Sequence, residues 1–225
     1  MLLDREVTPE LSRELLKQQI VIARSQHEAL VMGKVMATGL EVPALNASMD
    51  IDNILTAWKG LLTPWTILNG LSVLDLASGS ADNHDMFTTR YPHFSRLCAI
   101  NGADVVAIDA NPQSGFDETM FSWAQADLVN AVLGEGLKSL PILQGREFDI
   151  IYSADFVGVN PCPELPRQLA RHGIGRAEFE KAFLQQAGEL LTEGGVMSLD
   201  DYDEKWLPNY YTRKGSDIVT LQQAA

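Results

Sequence analysis

The sequence has few cysteines, few basic residues and no long apolar run. Its two cysteines, Cys98 and Cys162, belong to no CxxC pair and to no Cys/His cluster with zinc spacing. Two reduced thiols are typical of a cytoplasmic protein, which is our expectation for the location. No apolar run approaches the roughly 20 residues that span a membrane, and charged residues begin at Asp4. We therefore expect neither a membrane partner nor a secretory signal.

Basic residues are outnumbered, with 17 Lys and Arg against 30 Asp and Glu and a formal net charge of -13. An acidic surface repels a phosphate backbone, so nucleic acid is not an expected partner. Hydrophobic residues make up 46% of the chain and charged residues 21%, as in soluble globular domains.

Residues 1–65 have a helical texture that differs from the rest of the chain. Thr8 can cap a helix that begins at Pro9, and leucines then recur near the helical period. We interpret this stretch as an N-terminal helical extension. Its role stays open between packing, a lid over a substrate pocket and a homodimer contact.

Residues 66–225 form the second predicted unit, in which short apolar runs alternate with helical segments. The strand candidates are 71–76, 105–108, 121–126, 148–153, 196–199 and 217–221, and the helix candidates are 83–101, 128–140 and 176–191. Such alternation predicts the α/β class, with a doubly wound, Rossmann-like and mostly parallel sheet that carries helices on both faces. Ligands of such folds bind beyond the carboxyl ends of the strands.

A loop of small residues follows the first strand candidate, in the sequence Asp75-Leu76-Ala77-Ser78-Gly79-Ser80-Ala81. Small residues allow the backbone to pass close to a ligand, and Gly79 can adopt a conformation closed to other residues. A tight turn from strand to helix also needs small residues, so the loop has a purely structural interpretation as well.

Polar residues also end the next three strands. Asp109 can accept hydrogen bonds from ribose hydroxyls or serve a turn before Asn111-Pro112. Asp127 can accept from an adenine amino group or cap the next helix. Ser153 ends the fourth strand, and residues 190–195 (LLTEGG) indicate a helix end with glycine at its stop.

Over residues 71–201 the chain resembles the class I S-adenosylmethionine-dependent methyltransferases. Residues 75–81 are similar to the cofactor loop of that family, and residues 190–195 to its Leu-Leu-x-x-Gly-Gly signature. The resemblance implies S-adenosyl-L-methionine as the cofactor. It assigns cofactor binding to Asp75, Ala77, Ser78, Gly79, Asp109, Ala110, Asp127, Leu128 and Ser153.

A catalytic base is needed only where the acceptor carries a proton to remove. His84 follows the loop and Asp155 follows the fourth strand, so these two are the catalytic candidates, although a structural histidine is common near a helix start. In a magnesium-dependent variant of the family, Asp155, Asp200 and Asp201 would hold the metal through carboxylate oxygens. Such an acidic run is usually a solvated loop.

The sequence departs from the family pattern in three places. Thirty residues separate Gly79 from Asp109, which indicates an insertion near residues 87–94, and Pro92 should kink or split the helix predicted there. The tail shows one strand candidate where the family has an antiparallel hairpin.

Two further features have expected roles. Tyr210 and Tyr211 are expected either at the mouth of the pocket or packed on the sheet, and prolines stiffen the loop that contains Cys162.

The sequence thus predicts an enzyme that transfers a methyl group from S-adenosylmethionine to a small-molecule acceptor by O- or N-methylation. The alternatives are a non-catalytic S-adenosylmethionine-binding partner or scaffold, a magnesium-dependent O-methyltransferase and an NAD-dependent oxidoreductase. The glycine-poor loop and the acid at position 75 count against the last of these.

Overall fold

The computed structural model describes residues 68–79, 92–100, 102–111, 121–153, 156–157, 162–199 and 210–221. The expected N-terminal extension, residues 1–65, lies outside this part of the chain. The described strands are β1 (Ser72–Leu76), β2 (Asp104–Asp109), β3 (Ser122–Gln125), β4 (Phe148–Tyr152), β5 (Leu191–Ser198), β6 (Tyr210–Lys214) and β7 (Asp217–Leu221). The described α-helices are α1 (His93–Ile100), α2 (Leu128–Leu133), α3 (Leu165–His172) and α4 (Arg176–Gly188).

The seven strands form one sheet in the order β3-β2-β1-β4-β5-β6-β7. Neighbouring strands from β3 to β5 run parallel, whereas β6 is antiparallel to β5 and β7 to β6. The chain moves outward from β1 through β2 to β3 and then returns to the other side of β1 as β4. This reversal places a topological switch point between the carboxyl ends of β1 and β4, where doubly wound folds bind ligands. The predicted doubly wound, mostly parallel α/β sheet is confirmed.

Helices pack on both faces of this sheet. Leu74, Ile108 and Ile151 lie in a core with side chains of α2, α3 and α4, whereas Val73 and Ile150 lie in a second core with side chains of α1. Successive residues of one strand therefore enter different cores, as the period of two in a strand requires. Within the described residues, no helix is long and apolar enough to cross a membrane.

All three predicted helices have different bounds in the structure, and the one predicted at 176–191 ends at Gly188. Of the helix predicted at 83–101, the described part is α1, which begins at His93 directly after Pro92, while residues 83–91 lie outside the described residues. Proline lacks an amide donor, which is no loss at a helix start. The helix predicted at 128–140 ends at Leu133, because Gly134 follows and Gly136 has a φ of 90° that other residues rarely adopt.

The stretch after β4, where the prolines were expected to stiffen a loop, contains α3, a helix that the sequence analysis did not predict. Pro166 occupies the second position of this helix, where its missing amide donor costs nothing. Leu165 and Leu169 are one helical turn apart and both buried, and Gly173 ends the helix with a φ of 66°.

The glycines of the Leu-Leu-x-x-Gly-Gly segment do not stop a helix, contrary to the prediction. α4 ends at Gly188, and Gly194 and Gly195 lie within β5, which begins at Leu191. The register with β4 shifts here, since Phe148 pairs with Leu191 but Ile150 pairs with Val196. The glycines therefore serve a bulge, as glycine often does inside a strand.

The C-terminal edge of the sheet is complete, whereas the sequence predicted only one strand there. β6 and β7 form an antiparallel hairpin through a turn at Gly215. Tyr210 and Tyr211 of β6 enter different cores and are 5% and 8% exposed. Of the two roles considered for these tyrosines, packing is the one that their burial supports.

Candidate functional site

The loop after β1 turns sharply at the carboxyl edge of the sheet. Ala77 has a φ of 59° and Gly79 a φ of 89°, so two residues of this short loop adopt the left-handed region. The amide of Ser78, which lies between them, donates to the carbonyl of Ile108 at 3.0 Å. Glycine adopts this conformation freely, whereas alanine pays roughly 1 kcal/mol for it. The loop is thus held against the end of β2, with strain stored at Ala77.

Asp109 ties this loop to the end of the next strand. Its Oδ2 accepts a hydrogen bond from the amide of Gly79 at 3.0 Å, and its Oδ1 accepts two from Asn111, at 2.8 Å from the amide and 3.1 Å from Nδ2. The side chain is 7% exposed. A carboxylate can accept about four hydrogen bonds, so these three donors leave one acceptor position on Oδ2.

Asp127 lies at the end of β3 and caps α2. Its Oδ1 accepts from the amides of Val129 at 2.9 Å and Asn130 at 3.1 Å, and its Oδ2 accepts from Asn130 Nδ2 at 2.8 Å. The capping interpretation of the sequence is therefore realised, and Oδ2 retains acceptor capacity beyond it. Leu128 is the first residue of α2, so its amide has no acceptor inside the helix.

Asp75 is buried at the end of β1, with 2% of its surface exposed. Its Oδ2 accepts two hydrogen bonds from Ser95 in α1, at 2.6 Å from the hydroxyl and 3.2 Å from the amide. Burial raises the pKa of this carboxyl to about 7, and the negative charge of Asp109 adds to the rise, while the bonds from Ser95 lower it. Asp75 therefore holds a helix in place from within the core.

Ser153 follows β4 at the switch point. Its amide donates to the carbonyl of Ser198 at 2.9 Å. Its hydroxyl is buried and has no hydrogen-bond partner among the residues that the structure describes, and the residue is 0% exposed. A buried hydroxyl without a partner is costly, so an unfilled hydrogen bond at the ligand-binding edge of the fold is informative.

The strand ends at this edge carry charge of one sign. Residues 75–79, 109–111, 125–128, 153 and 198–199 include Asp75, Asp109 and Asp127 but no lysine, arginine or histidine. A cationic group is therefore favoured here over an anionic one.

Several predicted site residues lie outside the described part of the chain, namely His84, Asp155, Asp200 and Asp201. Among the described residues there is no group of three or more His, Cys, Asp or Glu side chains that could hold a metal ion. Ala110 is described and exposed, next to Asp109.

Of two further residues that fix the site, sequence reasoning missed Ser95 and considered Asn111 only as part of a turn. Ser95 binds Asp75 across 20 positions of sequence, a contact that no local motif announces. Asn111 donates to Asp109 from two positions away, and the sequence Asp-Ala-Asn-Pro carried that signal because such a segment favours a side-chain turn.

No protein-family model matches the chain, and no curated protein matches it. Solved structures do match. The methyltransferase MycE from the mycinamycin biosynthetic pathway, in complex with Mg, SAH and mycinamycin VI, aligns with a TM-score of 0.38 and 12% identity over 58% of this chain and 29% of its own. This chain thus spans less than a third of that enzyme.

Two further structures align at similar levels. The N-methyltransferase NodS from Bradyrhizobium japonicum has a TM-score of 0.39 and 12% identity over 67% of this chain and 66% of its own. A putative ribosomal RNA methyltransferase from Plasmodium falciparum has a TM-score of 0.37 and 16% identity over 64% of this chain and 73% of its own. At these values the likeness carries no argument about activity, which must rest on the residues of the site.

Proposed function

We propose that the chain binds S-adenosylmethionine at the carboxyl edge of β1, β2 and β3 and transfers its methyl group to a small-molecule acceptor. The observation that carries the proposal is the hydrogen bond from the Gly79 amide to Asp109, which joins a tight loop to a buried carboxylate at the ends of two adjacent strands. The vicinal hydroxyls of a ribose need such an acceptor. Small residues beside the acceptor let the adenosyl group pass close to the backbone.

The adenosyl half of the ligand has acceptors and a donor available at β2 and β3. Asp109 would accept a hydrogen bond from a ribose hydroxyl at the remaining acceptor position on Oδ2. Asp127 would accept from the adenine amine through Oδ2, while its Oδ1 continues to cap α2. The amide of Leu128, which has no acceptor inside its helix, would donate to the adenine ring.

The residues present also fit the other half of the ligand. The buried hydroxyl of Ser153 lacks a partner among the described residues and lies at the end of β4, adjacent to β1 in the sheet. A polar ligand group beside it would satisfy this hydroxyl and recover the free energy that its burial costs. The path of the ligand past the loop would be lined by small residues, namely Ala77, Ser78 and Gly79.

The charge at this edge distinguishes between cofactor classes. A dinucleotide would bring a pyrophosphate with two negative charges toward Asp75 and Asp109, where no cation of the described strand ends compensates it. S-adenosylmethionine instead carries a sulfonium, an ammonium and a carboxylate group, so it brings a net positive charge. The acidic edge therefore favours S-adenosylmethionine over NAD.

When bound, the sulfonium supplies an activated methyl group that a nucleophilic acceptor takes up directly. The part of the protein is to orient the acceptor in line with the methyl–sulfur bond and to exclude water. His84 and Asp155 remain our proposed bases for an acceptor that must lose a proton. The net charge of -13 favours a small acceptor over a nucleic acid.

Calorimetric titration with S-adenosylhomocysteine and, separately, with NAD tests the binding step. We expect S-adenosylhomocysteine to bind and NAD not to bind. Asp109→Asn should weaken the binding about tenfold or more, because a hydrogen bond to a charged acceptor is lost. Asp104→Asn is the matched control, since Asp104 lies exposed at the opposite end of β2 in an ion pair with Arg146. Binding of NAD alone would refute the proposal.

Methyl transfer itself needs a second measurement. Incubation with methyl-labelled S-adenosylmethionine and a panel of small acceptors that carry hydroxyl or amino groups should yield a labelled product. Cofactor binding without transfer to any acceptor would instead favour the non-catalytic partner or scaffold, which is the second class of function that the sequence leaves open.

A further inference from the structure

Asp75 connects two parts of the molecule that meet at the proposed binding edge. It lies one residue from the end of β1, directly before the tight loop, and its Oδ2 accepts both hydrogen bonds from Ser95, the third residue of α1. Whatever alters the charge of this carboxylate also alters the attachment of α1 to β1. The loop and the helix start are therefore mechanically linked through one side chain.

The groups that face Asp75 offer it no positive charge among the described side chains. Cys98 approaches from α1, and its thiol pKa is raised well above the ordinary range by burial and by the charge of Asp75. Asp109 acts on Asp75 from β2 with a charge of the same sign. Tyr152 lies opposite it on β4, in register, with its ring stacked on Phe94 of α1 at a centroid distance of 4.1 Å.

Two carboxylates thus bracket the loop, one holding α1 and the other holding Gly79. Neither has a basic partner among the described residues, and both are more than nine-tenths buried. Charge repulsion between them is relieved when a positive group enters the space beside the loop. The described residues thus supply hydrogen-bond donors to both carboxylates but no positive charge.

We propose that Asp75 is a positioning residue whose ionisation is coupled to ligand binding, so that a cationic ligand binds at the loop with release of the Asp75 proton. The inference rests on the proposed function, because the cation it requires is the sulfonium of S-adenosylmethionine. The proton passes from the carboxyl to solvent, and the carboxylate that remains holds the two bonds from Ser95.

The direction of the effect follows from the pKa. In the ligand-free protein burial holds the pKa of Asp75 near 7, so the carboxyl is about half protonated at neutral pH. A nearby cation lowers this pKa, so the complex binds fewer protons than the free protein. Affinity should consequently rise with pH, and it should be about tenfold weaker near pH 6 than near pH 8.

The experiment is calorimetry of S-adenosylmethionine binding at about pH 7 in two buffers that differ in ionisation enthalpy, which counts the protons released. We expect release of about half a proton with S-adenosylmethionine and less with S-adenosylhomocysteine, whose sulfur is neutral. Asp104→Asn should behave as the wild type, and Asp75→Asn should release none.

A second variant keeps the test decisive if Asp75→Asn fails to fold. Ser95→Ala removes the hydroxyl bond that lowers the pKa of Asp75, so more protons should be released at neutral pH and the pH dependence should move upward. Binding of S-adenosylmethionine without proton release, or with equal release in Asp75→Asn, would overturn this inference alone. Failure of both S-adenosyl ligands to bind would overturn the proposed function, and this inference with it.

Discussion

Gly79 donates its backbone amide to the carboxylate of Asp109, 30 residues further along the chain, at 3.0 Å. The bond crosses from the loop after β1 to the end of β2, and both residues are buried. Charge-assisted bonds of this kind are about twice as strong as neutral ones. The shape of the loop is therefore set by a long-range contact as well as by its own small residues.

The first prediction concerns the protection of the Gly79 amide. In Asp109→Ala this amide loses its acceptor, so its hydrogen exchange should accelerate about ten- to a hundredfold. The amide of Ser78 is an internal control, because it donates to the carbonyl of Ile108 and should stay protected. Residue-resolved exchange by NMR measures both, and unchanged exchange at Gly79 would show that the loop holds itself.

Ala77 provides the second prediction, since its φ of 59° is strained for a residue with a side chain. Ala77→Gly should stabilise the fold by up to about 1 kcal/mol, because relief of strain exceeds the added entropy of the unfolded chain. Ala77→Val should destabilise it by about 1–2 kcal/mol, since a β-branched residue tolerates this region least.

Chemical denaturation measures both Ala77 variants. Ala107→Gly in β2 is the contrasting control, because glycine in an ordinary strand position costs about 1 kcal/mol. A loss of stability in Ala77→Gly similar to that in Ala107→Gly would argue against strain at the loop.

The sequence predicted the central sheet well because apolar runs between turn residues are local signals. β1, β2 and β4 lie within one residue of their predicted bounds, and β7 matches them. α3 and β6 escaped prediction for opposite reasons. The prolines around Cys162 concealed a helix whose apolar spacing is correct. The two tyrosines of β6 were expected at a pocket mouth or packed on the sheet, and neither interpretation included a strand.

The sequence predicted where the site residues lie better than it predicted which groups they contact. Asp75, Asp109 and Asp127 all lie at or within two residues of a strand end as expected, because parallel strands of a doubly wound sheet end at one edge. Their partners were only partly predictable. The cap formed by Asp127 is local and was considered, whereas the bond between Ser95 and Asp75 depends on how α1 packs against β1.

Two substitutions of Asp127 separate its role as a helix cap from its proposed role in ligand binding. Asp127→Ala should destabilise the protein by about 1 kcal/mol through loss of the helix cap. Asp127→Asn should destabilise it less, because its amide oxygen keeps the cap and only the bond from Asn130 Nδ2 is lost. Asp127→Asn should nevertheless bind S-adenosylhomocysteine about tenfold more weakly, since an amide nitrogen in place of Oδ2 cannot accept from the adenine amine. Wild-type affinity in this variant would leave Asp127 with the capping role alone.

Gly195 supports the site indirectly, through the bulge that aligns β5 with β4. A Cβ atom at this position would lie 2.9 Å from Thr192 Oγ1 and 3.0 Å from the carbonyl oxygen of Phe148. Gly195→Ala should therefore destabilise the fold by about 1–3 kcal/mol. Gly175→Ala should stay within about 0.5 kcal/mol of the wild type, because nothing lies within 4 Å of its Cβ position. Equal midpoints of thermal unfolding for the two variants would contradict this packing argument.

The pH dependence of stability in the ligand-free protein provides the last prediction. The pKa of Asp75 is raised from 3.8 to about 7 by burial, so between these values the folded state binds a proton that the unfolded state has lost. Stability is consequently lost as pH rises through this window, by about 1.4 kcal/mol per pH unit, and the contribution levels off above pH 7. An acid held by a basic partner would behave in the opposite way.

Other carboxylates titrate in the same window, so the measurement must isolate Asp75. The difference in unfolding free energy between the wild type and Asp75→Asn should shift in favour of the wild type as pH falls from about 7 to about 5. The same difference taken with Asp104→Asn should not show this shift, because Asp104 is exposed at the other end of the sheet. A flat difference for Asp75→Asn would mean that the buried carboxyl is already ionised near pH 5, and that Ser95 alone satisfies its charge.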